Sequence, residues 1–73
     1  MTRFRVSAED FSSREVECIG CHGDALTLAL SNTSVAHWKV NRRSPDGRSW
    51  FFDVALAQPD GPMMREFRVD TLS

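Results

Sequence analysis

Cys18-Ile19-Gly20-Cys21-His22 is the stretch of this chain whose residue types and spacing best suit chemistry. Two thiols separated by two residues can aim at one atom, and the adjacent imidazole adds a third donor. Taken literally, C-x-x-C-H is the c-type haem attachment pattern, with His22 as the proximal iron ligand and Met63 or Met64 as the opposite axial ligand. Taken as a metal knuckle, it is half of a structural zinc site, and a symmetric dimer would supply four thiolates from two chains. Taken as a redox pair, it needs a helix N-terminus to lower a thiol pKa, whereas the residues after it, Leu26, Leu28 and Leu30, alternate as a strand does. The preferred reading is structural: a loop before a leucine-rich strand, with one buried cysteine acting as a small hydrophobe. No cofactor is therefore expected, and Cys18, Cys21 and His22 stand as the candidate ligands only if a metal is bound.

Other catalytic constellations are missing. The chain has no G-x-S-x-G, no phosphate-binding Walker loop, no H-E-x-x-H and no dinucleotide fingerprint. His37 beside Trp38 is a lone imidazole, which core or solvent accommodates more often than catalysis uses. An enzyme is not expected.

The charges are nearly balanced, with nine basic and ten acidic residues and a net charge of -1. Nucleic-acid modules are usually strongly basic, because neutralised phosphates supply much of their affinity. The distribution is lopsided, however. Residues 9–24 carry Glu9, Asp10, Glu15, Glu17 and Asp24 against Arg14, and residues 39–48 carry Lys39, Arg42, Arg43 and Arg48 against Asp46. Such a field steers encounters and fixes docking orientation.

At 73 residues, one small domain over 1–73 is the expected organisation. Its core is thin, since so short a chain buries only about 60% of its unfolded surface. No signal peptide and no apolar run near the ~20 residues that span a bilayer are evident. A cytoplasmic location with reduced thiols, and no membrane partner, are expected on that basis.

The elements that must position these residues follow a period of two. Phe4 and Val6, Leu26 to Leu30, Trp50 to Leu56, and Phe67 with Val69 all alternate, with shorter stretches at Val16–Cys18 and Ala36–Val40. Ser44-Pro45-Asp46-Gly47 suits a type I turn, so Trp38–Arg43 and Arg48–Leu56 should pair antiparallel. Pro59-Asp60-Gly61-Pro62 repeats the device between Leu56 and Met64. Ser7-Ala8-Glu9-Asp10 carries a helix-start signature that predicts a helical turn through Phe11. Thr33 or Ser34 could cap a second helix through Arg42, so strand and helix both remain open for 33–42. The expected fold is mainly β: a small antiparallel meander of five to six strands curled into a barrel-like sheet, with one short N-terminal helical turn.

As a layout, an acidic helical turn followed by a compact barrel resembles the Sm-like small proteins, including the Rof-type inhibitors of transcription termination. The similar stretches are 21–30 and 65–73; no motif is shared and no residue role transfers.

On this fold Phe51 points away from the core and the hairpin tip carries Arg42, Arg43 and Arg48. An exposed aromatic framed by arginines has the composition of an interface hot spot. The expected function is a small non-enzymatic adaptor, regulator or inhibitor of bacterial or phage type. It would bind a larger protein through Lys39, Arg42, Arg43, Arg48 and Phe51. Stacking single-stranded nucleic acid on the same hairpin is the alternative, followed by the metal or haem readings of Cys18, Cys21 and His22.

Overall fold

The structure is a computed structural model and describes residues 1–31, 33 and 35–72. Its elements are β1 (Thr2–Ala8), β2 (Phe11–Cys18), α1 (His22–Ala29), β3 (Val35–Arg43), β4 (Ser49–Leu56) and β5 (Met63–Thr71). The five strands form one antiparallel sheet in the order β2-β1-β5-β4-β3. The mainly β reading is correct. The sheet stays open, with β2 and β3 as its two edges, so it is an α-covered sheet and not a barrel.

Both proline-containing turns form where the sequence placed them. In the β3–β4 turn the Gly47 N–H donates to the Ser44 carbonyl at 2.9 Å, and Gly47 has φ +74. That conformation suits a residue without a Cβ. The strands on either side pair with Trp38 opposite Val54 and Arg43 opposite Trp50. Residues 35–43 are therefore strand. Ser34, the second cap considered for a helix there, lies outside the described residues.

Two expectations fail. The helical turn expected from Ser7 to Phe11 is the tight connection of the β1–β2 hairpin, turning at Glu9 and Asp10. Hydroxyl and acidic side chains hydrogen-bond locally in turns as readily as at helix starts. The leucine strand expected over 26–30 is instead largely helix α1. Its buried residues are His22, Gly23, Ala25, Leu26, Ala29 and, just beyond its end, Leu30. They include the i, i+3, i+4, i+7 and i+8 spacing of an amphipathic helix, while Leu28 is 47% exposed. Asp24 fixes the helix start, its carboxylate accepting from the Cys21 backbone N–H at 2.9 Å.

The position of this helix also removes the layout resemblance. Two strands precede it, and 21–30 is the helix with its flanking residues; residue 73 of the other similar stretch lies outside the described residues.

The core lies between α1 and one face of the sheet: Phe4, Val6, Ala25, Leu26, Ala29, Leu30, Phe52, Val54, Phe67 and Val69. The helix backbone packs mainly against β1, β2 and β5. Eight helical residues rise only about 12 Å, while five strands span roughly 19 Å between the outer two. One short helix cannot cover that width, and β3 is left largely outside its cover, touched where Trp38 meets Gly23. No described helix is long and apolar enough to cross a membrane.

Candidate functional site

The C-x-x-C-H residues do not converge. Cys18 ends β2, partly buried against the core, and Cys21 is the exposed N-cap of α1. His22 turns inward. Its ring stacks on Trp50 with centroids 4.5 Å apart and meets Phe4 edge-on at 4.9 Å. His22 Nε2 lies 2.8 Å from Thr71 Oγ1 and 3.3 Å from the Arg48 carbonyl oxygen. Burial holds its pKa below the ordinary value, outweighing the Arg48 carbonyl and Asp70, which pull it upward. Met64 stands on the opposite face of the sheet, in register with Ala55. No group of three or more metal-ligating side chains occurs among the described residues. The redox reading, set aside because a strand was expected after Cys21, meets a helix there instead; both thiols are free.

The hairpin residues do come together, though on two faces. Register places Arg42 opposite Phe51, and Phe51 opposite Arg68 on β5. The Arg42 guanidinium sits 4.3 Å from the Phe51 ring centroid and that of Arg68 5.6 Å away. Phe51 is thus partly buried and flanked by cations from both neighbouring strands. Arg43 points to the helix-bearing face, where its guanidinium lies 4.6 Å from the Trp50 ring. Lys39 is opposite Asp53 on the open face. Arg48 lies at the turn and donates to the Thr71 carbonyl at 3.4 Å.

The turn itself is tied down. The Asp46 carboxylate accepts from the Ser44 hydroxyl and from the Arg48 backbone N–H, which together hold its pKa below the usual range. The Trp50 indole N–H donates to the Gly47 carbonyl at 3.0 Å.

The exposed aromatic of this hairpin is Trp38, at 39% exposure, with Val40 beside it at 36%. Both face the helix side of β3, in register with Val54 and Phe52. Trp38 meets Phe52 edge-on at 5.3 Å and rests over Gly23 of α1. A Cβ on Gly23 would come within 2.6 Å of the indole, so glycine there permits the close approach. Alternation in the sequence puts Trp38 and Val40 on one side. It cannot reveal that the covering helix meets Trp38 only at Gly23 and leaves both side chains exposed.

Charge pairing separates the two edges of the sheet. Glu17 and Glu15 of β2 lie 3.8 and 3.6 Å from Arg3 and Arg5 of β1. Arg65 meets Asp10, and Arg68 meets Asp70. Among the described residues no carboxylate lies within ion-pair distance of Lys39, Arg42 or Arg43. Every residue of β3 from Ala36 to Arg43 is exposed. The candidate site is therefore the basic edge strand β3 with its turn. No family model matches the chain, and no curated protein or solved structure matches it either.

Proposed function

We propose that this chain is a small non-enzymatic binding module, an adaptor, regulator or inhibitor that docks a larger protein on β3 and the β3–β4 turn. The observation that carries the reading is the basic edge: Lys39, Arg42 and Arg43 lie along an exposed strand, with no carboxylate within ion-pair distance of them among the described residues, beside the exposed Trp38 and Val40. Tryptophan and arginine contribute most where partners bury them. Unneutralised charge also speeds and orients the encounter. Protein is favoured over single-stranded nucleic acid because the Phe51 ring, the expected stacking platform, is already flanked by Arg42 and Arg68.

The test is affinity capture from the native host, with each captured protein then produced pure and titrated directly. Arg42→Glu with Arg43→Glu should weaken the interaction by about tenfold or more and leave the circular dichroism unchanged. Equal binding by the double variant would refute the reading. Capture dominated by nuclease-sensitive material, with an affinity collapsing between low and moderate salt, would replace it with nucleic-acid binding.

A further inference from the structure

We infer that the segment bound at β3 is an extended, acidic strand of the partner that adds to the sheet edge. The inference rests on the proposed docking surface and specifies its mode. As an edge strand, β3 is paired only with β4, so the backbone groups that point away from β4 have no ladder partner. Register shifts fall between Val35 and His37 and between Val40 and Arg42. Between them His37, Trp38, Lys39 and Val40 stay in regular antiparallel pairing with β4. An incoming strand can add along that segment, while the irregularities on both sides discourage longer pairing.

Side chains set the partner's chemistry. Alternation along an added strand sends every second residue to each face. Those on the helix side meet Trp38 and Val40. A groove of about 540 Å³, lined in part by Leu26, Leu30, Val35 and Trp38, lies on that side. Those on the open face meet Lys39 and Arg42. An alternating apolar and acidic segment satisfies both rows.

A second copy of this chain fits poorly. Pairing β3 with itself would set two strands side by side that each carry Lys39, Arg42 and Arg43 and no acidic residue, and like charges on neighbouring strands repel. The acidic strand β2 already has Glu15 and Glu17 beside Arg5 and Arg3. The bases that bar self-pairing therefore also select the partner.

The probe is a peptide of about ten residues alternating glutamate and valine, titrated into the isotope-labelled whole chain. Backbone amide signals of His37 to Val40 should shift, and their hydrogen exchange should slow. Two further peptides carry N-methyl groups on every valine or on every glutamate nitrogen. Only one of these two sets faces β3 in an added strand, so one peptide should lose about tenfold or more and the other should bind as the parent does. Lys39→Glu should weaken the glutamate peptide and strengthen its lysine–valine counterpart.

Equal binding of both methylated peptides would overturn strand addition while leaving β3 as a charge-docking surface. Failure of every peptide, with the Arg42 and Arg43 variants still impairing the captured partner, would do the same. Loss of the effect of those variants as well would remove the docking surface itself. Concentration-dependent dimerisation abolished by Lys39→Glu would assign the edge to a second copy and overturn the inference.

Discussion

His22 lies flat against Trp50, with ring centroids 4.5 Å apart and planes 3° from parallel. This contact joins the start of α1 to the turn end of the β3–β4 hairpin and takes the imidazole out of the cysteine motif. The residue that looks most like a ligand in the sequence works as a core aromatic whose polar anchors are the Thr71 hydroxyl at 2.8 Å and the Arg48 carbonyl at 3.3 Å. The hairpin is anchored at its turn end in this way, and its outer strand β3 is paired on one side and open on the other.

Burial favours the neutral form of His22, so its pKa in the folded chain lies below the ordinary value of 6.5. Above that ordinary value both folded and unfolded chains are neutral at this site and stability is at its full level. As the pH falls below it, the unfolded chain takes up the proton first and stability declines, levelling off once the folded pKa is passed. Urea denaturation between pH 7.5 and 5.5 should show this fall, and His22→Leu should remove its part of the slope. An unchanged slope in the variant would contradict the assignment.

Leu26 and Leu28 distinguish helix from strand. Leu26 is fully buried, whereas Leu28 is 47% exposed. Leu26→Ala should cost about 2–5 kcal/mol, which in so small a chain approaches the whole stability. Leu28→Ala should stay within about 0.5 kcal/mol. Urea midpoints, measured with a stabilising osmolyte if needed, check both. Equal losses at the two positions would restore the strand reading of 26–30.

Gly23→Ala places a methyl group where the Trp38 indole now lies, since a Cβ there would come within 2.6 Å of the ring. Trp38 is on an exposed edge and can move outward, while alanine favours the helix by about 1 kcal/mol. The chain should therefore stay folded with Trp38 displaced. With fluorotryptophan incorporated, the Trp38 fluorine resonance should move toward its solvent-exposed position and the Trp50 resonance should hold. A stationary Trp38 signal would show that the helix and β3 do not touch at Gly23.

The two proline-containing hairpin turns were legible in the sequence because Pro45 fixes φ and Gly47 and Gly61 admit a positive φ locally, whatever the rest of the chain does. Gly47 and Gly61 both adopt positive φ. The helix was not legible as one. Leu26, Leu28 and Leu30 satisfy a period of two, while His22, Ala25, Leu26, Ala29 and Leu30 satisfy a helical period, and the two patterns share Leu26 and Leu30. Leucine and alanine are good helix formers, and that preference decides between patterns of similar strength. The basic cluster Lys39, Arg42 and Arg43 could be read directly. Trp38 could not be recognised as its exposed aromatic, because that depends on how far a helix reaches that the alternation had concealed.

The most direct measurement is a backbone hydrogen-exchange footprint of the whole chain with and without its captured partner. Protection confined to 35–43 and the adjoining turn, with 11–18 on the other edge unchanged, is the predicted result. Protection centred on 11–18, with β3 exchanging as in the free chain, would contradict the account.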